Sequence, residues 1–234
     1  MKIFQKGFNY SQDGPGNRLV YHLSGCNLKC RWCSNPEGMV QKPGKYTEVT
    51  VQEILDEIIS CKPMFFSGGG VTFTGGEPTL QFDELKKLLT LLKKNEINTA
   101  IETNATHPRL CELLPCIDHL IMDFKHFNKD IHKEWTGLEN TVTFENFERV
   151  CNSKINAIVR IPVINGFNNT PDGFVEYFKT FDTHNISFEI LPYHEFGKVK
   201  WESPYTVENG FITKKDLESF EKAFINNGLK IIHM

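Results

Sequence analysis

The sequence has no apolar run long enough to cross a membrane and no large excess of charge of either sign. A membrane-spanning helix needs about 20 predominantly apolar residues, and no run in this 234-residue chain approaches that length. The 26 basic residues are matched by 29 acidic ones, which argues against binding of nucleic acid by charge alone. Residues 1–16 are polar and lack the apolar core of a secretory signal. We therefore expect a cytoplasmic protein with neither a membrane nor a nucleic acid as partner.

The number and distribution of the cysteines argue against a disulfide framework. The chain has seven cysteines, an odd number, and the expected compartment is reducing. Four of them lie in apolar or helical contexts and are expected to be small core residues. Those four are Cys61, Cys111, Cys116 and Cys151. The other three, Cys26, Cys30 and Cys33, lie within eight residues of one another in a polar segment.

The three closely spaced cysteines predict a metal centre. Thiolates on one loop can all turn toward a single centre, and they select zinc, copper(I) or iron–sulfur clusters. A structural zinc site takes four ligands, but the next cysteine, Cys61, lies 28 residues beyond Cys33. Three thiolates on a four-iron cluster would leave one iron open to a substrate. A zinc site completed by His22 and a set of free core cysteines stay open as alternatives.

Strand-like and helix-like segments alternate along the chain and predict an α/β fold. The β-type runs are residues 18–24, 71–74, 97–103, 117–125, 155–164, 186–191 and 229–233. Amphipathic helical patterns separate most of them, including a helix at residues 50–60 with a capping box and a short helix at residues 107–114. This alternation predicts a mostly parallel sheet with outer helices. A full eight-unit barrel needs about 250 residues, so we expect a partial (β/α)6-type TIM barrel.

Several polar residues follow the predicted strands, where parallel α/β folds carry their chemistry. The Gly-Gly-Glu-Pro sequence at residues 75–78 ends one strand, and its glycines would let a ligand approach the backbone. Glu102 and Asp123 end two others, and His194 follows a fourth. Arg160 lies within an apolar strand and is expected to point into the barrel. A purely structural role stays open for each of these features. Residues 75–78 would then be a plain turn, Glu102 and Asp123 a solvated charged rim, His194 a packed histidine and Arg160 part of a buried ion pair.

Together these motifs resemble the radical S-adenosylmethionine (SAM) enzymes. The Cys-x-x-x-Cys-x-x-Cys loop, with Trp32 before its third cysteine, resembles their signature. The motifs that extend the resemblance are Asp-Gly-Pro-Gly at residues 13–16, Gly-Gly-Glu-Pro at 75–78, Asp-Phe-Lys at 123–125 and Leu-Pro-Tyr-His-Glu-Phe-Gly-Lys at 191–198. They are similar to the activating enzymes of glycyl radical enzymes, and most similar to the group that acts on pyruvate formate-lyase. The resemblance covers residues 13 to at least 201.

Two features of the cluster region bear on the kind of activating enzyme. Many activators of other glycyl radical enzymes carry a ferredoxin-like insert with extra cysteines, but only 41 residues separate Cys33 from Gly75 here. Conversely, Ser-Asn-Pro-Glu at residues 34–37 looks more like the insert-bearing activators. We expect a single radical SAM domain over residues 1–234, with the cluster loop at 25–36 and no insert. The alternatives are an activator of a different glycyl radical enzyme and, more remotely, a non-catalytic zinc-binding α/β module.

The resemblance implies a reaction and its participants. One [4Fe–4S] cluster per chain, held by Cys26, Cys30 and Cys33, would supply an electron that cleaves SAM to methionine and a 5′-deoxyadenosyl radical. This radical would abstract the α-hydrogen of a glycine in pyruvate formate-lyase and leave a glycyl radical. The implied electron donor is an external flavodoxin or ferredoxin, and the implied oligomeric state is a monomer. No residue acts as an acid or base in this scheme.

The resemblance also implies which residues contact the cofactors and the substrate. The residues implied to bind SAM are Trp32, Asn35, Gly75, Gly76, Glu77, Glu102, Asp123, Lys125, Arg160 and His194. A monovalent cation would lie near Asp123, and Glu102 would reach this cation or the ribose. Asp13 and Gly14, in the turn before the first predicted strand, would meet the substrate peptide.

Overall fold

The computed structural model describes residues 1–233, which form one eight-stranded sheet with helices packed around it. The strands are β1 (Lys2–Tyr10), β2 (Asn17–Leu23), β3 (Thr47–Glu48), β4 (Gly70–Gly75), β5 (Thr99–Thr103), β6 (His119–Asp123), β7 (Ala157–Val163) and β8 (Ile186–Pro192). Their order in the sheet is β3-β1-β2-β4-β5-β6-β7-β8. Six strands run parallel to one another, namely β2, β4, β5, β6, β7 and β8. β1 pairs antiparallel with both β2 and β3. The predicted α/β fold with six parallel strands is confirmed.

Six α-helices pack around this sheet in the described part of the chain. They are α1 (Val51–Ser60), α2 (Phe82–Lys94), α3 (Lys129–Thr136), α4 (Thr141–Cys151), α5 (Asp172–Phe178) and α6 (Lys214–Asn226). The predicted capping box begins α1, because the Thr50 hydroxyl accepts the Glu53 N–H at 3.2 Å and the Glu53 carboxylate accepts the Thr50 N–H at 2.7 Å. No helix within residues 1–233 is both long enough and apolar enough to span a membrane.

Aromatic side chains fill much of the core between the sheet and its helices. Phe124 follows β6 and is fully buried, with its ring centroid 4.8 Å from that of Phe178 on α5 and 6.0 Å from that of Phe147 on α4. Each such burial stabilises the fold by roughly 1.5–3 kcal/mol. A smaller apolar cluster contains Phe167 and Tyr193, and it packs against Trp32 of the cysteine loop. The core therefore extends to the carboxyl end of the sheet, where the cysteine loop lies.

Three segments differ from the sequence prediction. Residues 2–10 form β1, although four consecutive positions are exposed and give no alternating pattern. Residues 107–114 do not form the predicted α-helix. Two 3-10 helices, Leu110–Glu112 and Leu114–Cys116, occupy this region, and Pro115 has no N–H with which to extend an α-helix beyond Leu114. Residues 229–233 form a single bridge, in which Phe188 exchanges backbone hydrogen bonds with Lys230 and Ile232.

Candidate active site

The carboxyl ends of the parallel strands open onto a cavity of about 680 Å³. A volume of this order suits a cofactor-sized ligand, for which pockets run to roughly 300–1,000 Å³. Most of the residues that the sequence singled out line this cavity. They are Asp13, Cys26, Cys30, Trp32, Cys33, Asn35, Gly75, Gly76, Glu102, Asp123, Lys125, Arg160 and His194. Two of the predicted residues, Gly14 and Glu77, are absent from its lining.

The cysteine loop is fixed on both sides by backbone hydrogen bonds. The N–H of Lys29 donates to the carbonyl of Thr136 at 2.7 Å, and the N–H of Arg31 donates to the carbonyl of Trp135 at 3.1 Å. On the other side, the N–H of Cys26 donates to a carbonyl at residue 39, at 3.0 Å. The shape of this loop therefore depends on contacts with α3 and with the chain that follows the loop.

The three thiols line the cavity, Cys30 buried and Cys26 and Cys33 half-buried, and their chemistry fits an iron–sulfur cluster. Burial raises the pKa of Cys26 and Cys30 to about 12 and that of Cys33 to about 11, so each thiol must lose a proton when it binds a metal. Within residues 1–233, no three His, Cys, Asp or Glu side chains lie close enough to hold one metal ion. In a four-iron cluster each thiolate binds a different iron, so its ligands need not converge on one point.

His22 also faces this cavity from β2. Its buried Nδ1 has no hydrogen-bond partner among residues 1–233, and burial lowers the pKa of the imidazole. A buried polar atom of this kind normally has a partner.

Two glycines at the end of β4 pack closely on neighbouring backbone, Gly75 against β2 and Gly76 against the start of the cysteine loop. Gly75 has a φ of +119°, and a Cβ there would lie 2.3 Å from the nitrogen of Leu23. A Cβ on Gly76 would lie 2.2 Å from the carbonyl oxygen of Gly25. Only glycine allows the two backbones to approach this closely. Gly75 and Gly76 line the cavity and form its floor, beside the cysteine loop.

Glu77 lies behind this floor and is 1% exposed. One carboxylate oxygen accepts the Thr79 N–H at 3.0 Å and the Thr103 hydroxyl at 2.7 Å, and the other accepts the Asn104 N–H at 2.7 Å. Burial raises the pKa of Glu77, although these donors act in the opposite direction. The side chain therefore joins the ends of β4 and β5 and is turned away from the cavity.

Charged side chains from four neighbouring strands form one wall of the cavity. Arg160 pairs in register with Asp123 on β6 and with Glu189 on β8. Its Nε donates to Glu189 at 2.6 Å, and one of its Nη atoms donates to Glu102 on β5. Burial alone would lower the pKa of Arg160, but the two carboxylates raise it above its ordinary value. Sequence reasoning missed Glu189, whose only signal is a charge in an apolar strand.

Lys125 and Asp123 form a second ion pair, in which Nζ lies 2.8 Å from the carboxylate. Burial alone would lower the pKa of Lys125, but Asp123 and the nearby thiol Cys30 raise it. The ammonium also lies 6.0 Å from the ring centroid of Trp32. The positive charge beside Asp123 in this structure is thus the Lys125 ammonium.

Trp32 and His194 both contribute aromatic rings to the lining of the cavity. The Trp32 ring packs on Phe167, with 4.8 Å between the ring centroids, and also lines the cavity. His194 is exposed at the rim and stacks on Phe196 at 4.3 Å. Desolvation lowers the pKa of His194. Both rings are therefore accessible to a ligand while each is supported by an aromatic neighbour.

A segment near residues 197–201 closes over the cysteine loop, and sequence reasoning did not identify its contacts. The Lys200 ammonium donates to the side chain of Asn35 at 3.1 Å and lies 3.1 Å from the Glu37 carboxylate. The Trp201 indole N–H donates to the carbonyl of Cys33 at 3.1 Å. These contacts connect residues more than 160 positions apart, so no local pattern could have revealed them.

Comparisons with known proteins agree on one family. The model of the radical SAM superfamily matches residues 20–178. The pyruvate formate-lyase-activating enzyme of Staphylococcus epidermidis is 34% identical over 229 residues, which cover 91% of this chain and 89% of that protein. The crystal structure of a domain of a pyruvate-formate lyase-activating enzyme from Bacteroides vulgatus is 25% identical, with a TM-score of 0.58, and covers 70% of this chain and 98% of that one. QueE from Escherichia coli, 15% identical, has the same fold, with a TM-score of 0.62 over 98% of this chain and 92% of that one.

Proposed function

The chain belongs to the radical SAM superfamily and, within it, to the family of the pyruvate formate-lyase-activating enzymes, and from this premise we propose that it installs a glycyl radical in a partner enzyme. The observation that carries the proposal is the position of Cys26, Cys30 and Cys33. Their thiols line the same cavity as the charged wall and the glycine floor. Members of this superfamily use a [4Fe–4S] cluster and SAM, which the cavity would hold side by side.

The three thiolates would hold the cluster and leave one iron for SAM. When bound, the reduced cluster would supply the electron for cleavage of SAM to methionine and a 5′-deoxyadenosyl radical, and this radical would take the α-hydrogen of a glycine in the partner. The potentials of such clusters reach about −700 mV, low enough for this difficult reduction. This chain contributes ligands and orientation, and none of its residues is required as an acid or base.

We propose that the cavity walls contact each part of SAM. The backbone at Gly75 and Gly76 lies on the floor beside the cysteine loop, where we place the methionyl group. The charged wall of Glu102 and Arg160 would orient the methionyl and ribose groups. Trp32, supported by Phe167, offers a ring face to the adenine.

The remaining residues that were predicted to bind SAM fall into three groups. Asn35, Lys125 and His194 would complete the contacts with SAM. Asp123 is assigned to the same wall, with a monovalent cation close to it when SAM is bound. Glu77 would act through the floor and not by contact, since its carboxylate is turned away from the cavity.

The identity of the partner enzyme is the more specific part of the proposal. We infer that it is pyruvate formate-lyase, because the relatives that cover most of this chain carry that name. The chain would act as a monomer made of one radical SAM domain, and it would receive its electron from an external flavodoxin or ferredoxin. Activation of another glycyl radical enzyme is the alternative, and it uses the same cavity.

The test is anaerobic reconstitution followed by single turnover with candidate partners. We expect about four iron and four sulfide per chain, release of 5′-deoxyadenosine after reduction with dithionite, and a glycyl signal in electron paramagnetic resonance with pyruvate formate-lyase. A glycyl signal with a different partner alone would reassign the partner. Stoichiometric zinc without iron, and intact SAM, would refute the enzyme and favour the zinc-binding module.

A matched pair of cysteine variants tests the ligand assignment. Cys30→Ala should lose the cluster absorbance and the cleavage of SAM, because Cys30 is a buried thiol in the cavity wall. Cys111→Ala should keep both, because Cys111 lies apart from the cavity beside Asn146. Full SAM cleavage by Cys30→Ala would contradict the assignment.

A further inference from the structure

The segment at residues 197–201, which we call the covering segment, lies across the second half of the cysteine loop. A Cβ on Gly197 would lie 2.6 Å from the carbonyl oxygen of Cys33, so the two backbones are in direct contact. The Lys200 ammonium of the same segment donates to the side chain of Asn35 at 3.1 Å. The covering segment thus contacts a part of the loop that α3 does not hold.

The three predicted cluster ligands are held in different ways. The N–H of Cys26 donates to the carbonyl of Met39, and the residues on either side of Cys30 donate to carbonyls of α3. The N–H of Cys33 donates to the carbonyl of Cys30, at 3.2 Å, which lies within the same loop. The hydrogen bond that joins Cys33 to a distant part of the chain comes from a side chain, because the Trp201 indole N–H donates to its carbonyl at 3.1 Å. Cys33 therefore depends on Trp201 for a fixed position relative to the sheet.

The Trp201 ring is itself held in place by two tyrosines. Its centroid lies 5.5 Å from that of Tyr205, in an edge-to-face arrangement. The Tyr205 hydroxyl lies 2.7 Å from that of Tyr193, which is buried and belongs to the smaller apolar cluster. The indole N–H is thus directed at the Cys33 carbonyl by packing that begins in the core.

A hydrogen bond to the backbone of a ligand residue restricts the directions in which its side chain can point. Groups that contact metal ligands in this way orient them, and their loss typically costs about 10–100-fold in metal affinity or activity. Because Cys26 and the neighbours of Cys30 are held by backbone hydrogen bonds, loss of the bond to Cys33 should affect one ligand and leave the other two in place.

We propose that Trp201 is a positioning residue for the cluster, whose indole N–H fixes the Cys33 backbone and thereby the direction of the third thiolate. This inference rests on the proposed function, because it assigns Cys33 to an iron. It predicts a change confined to one ligand: without the indole N–H, Cys33 becomes mobile while Cys26 and Cys30 keep their positions.

The test compares two half-buried tryptophans that border the same loop. Trp201→Phe keeps an aromatic ring beside Tyr205 and removes the N–H that reaches Cys33. Trp135→Phe is the matched control. Trp135 contacts the loop through its ring face, with the Arg31 guanidinium 4.9 Å from the ring centroid, and through its backbone carbonyl.

The first measurement uses cluster-free protein and follows each thiol separately. The cysteines are labelled with iodoacetamide under anaerobic conditions, and the rate at each one is read by mass spectrometry of its peptide. We expect Trp201→Phe to raise the labelling rate of Cys33 about fivefold, since one hydrogen bond contributes about 1 kcal/mol. The rates of Cys26 and Cys30 should stay close to those of the wild type. No rise at Cys33, or a rise shared by all three thiols as in a general loss of stability, would overturn the inference.

The second measurement uses anaerobically reconstituted protein. In Trp201→Phe, iron should pass to a chelator about fivefold faster than in the wild type, and the g values of the reduced cluster in electron paramagnetic resonance should shift, because the geometry at one iron changes. Trp135→Phe should match the wild type in both. A wild-type rate and wild-type g values in Trp201→Phe would overturn the inference. Failure of the wild type itself to load iron would instead overturn the proposed function.

Exchange of the indole protons in the wild type provides a measurement that does not require Trp201→Phe to fold. The protein is prepared cluster-free with isotope-labelled tryptophan, and its indole signals are assigned from spectra of Trp135→Phe and Trp32→Phe. We expect the indole proton of Trp201 to exchange with solvent more slowly than that of Trp135, because the Cys33 carbonyl accepts it. Equal exchange of the two protons would overturn the inference.

Discussion

Replacing Glu77 by glutamine distinguishes a cofactor contact from a structural support for the cavity floor. The carboxylate accepts an N–H from Thr79 at one oxygen and an N–H from Asn104 at the other. In either orientation, the amide of Glu77→Gln would place an NH₂ group against one of these donors. The variant thus loses one charge-assisted hydrogen bond and leaves a buried donor without a partner.

The expected cost follows from this geometry. Losing such a bond in a buried site costs about 1.5–3 kcal/mol. For a chain of this length, 1 kcal/mol lowers Tm by about 2–4 °C, so we expect a decrease of roughly 3–12 °C in cluster-free protein without SAM. The affinity of the loaded enzyme for SAM should change less than about threefold, because the carboxylate is turned away from the cavity.

Thermal unfolding followed by circular dichroism, and SAM titration of the reconstituted enzyme, measure the two quantities separately. Glu145→Gln is the matched control, because Glu145 is exposed on α4 and the same chemical change there should leave Tm unaltered. An unchanged Tm in Glu77→Gln, combined with SAM binding weakened tenfold or more, would refute the structural role.

Three further variants test the cavity floor, a buried histidine and the segment over the cysteine loop. Gly76→Ala should abolish cluster loading, because its Cβ would overlap the carbonyl of Gly25, whereas Gly7→Ala, with open space around it, should load normally. Burial lowers the pKa of His132 to about 4. On acidification, the histidine of the unfolded state therefore binds a proton at a higher pH than that of the folded state. The free energy of unfolding should therefore fall by about 2 kcal/mol from pH 7 to pH 4.5, and a urea titration of His132→Gln should show a smaller fall. Lys200→Ala should lose iron to a chelator faster than the wild type, and an unchanged rate would contradict the role of its contacts with the loop.

The mostly parallel α/β architecture and the location of the site could be predicted from local sequence patterns. Alternation of strand and helix patterns indicates parallel strands, whose carboxyl ends must lie at one edge. Residues at those ends, such as Glu102 and Asp123, were therefore expected to meet, and both line the cavity. The cysteine spacing indicated a shared centre because three thiols on a short loop cannot lie far apart.

Other features depend on register and long-range packing, which a single sequence does not reveal. The pairing of Arg160 with Glu189 requires the relative register of β7 and β8. The direction of Glu77 depends on where the loop after β5 places its N–H donors. β1 has no alternating pattern because it lies near the sheet edge with much of its length exposed. The contact between Trp201 and Cys33 joins two distant parts of the chain.

The backbone bonds that hold the cysteine loop to α3 have a consequence for how the enzyme matures. Zinc fingers fold only when the metal arrives, but here the N–H groups of Lys29 and Arg31 already find their acceptors within the protein. We therefore expect these two hydrogen bonds to persist when iron is absent and to limit the conformations that the loop adopts while the cluster is inserted.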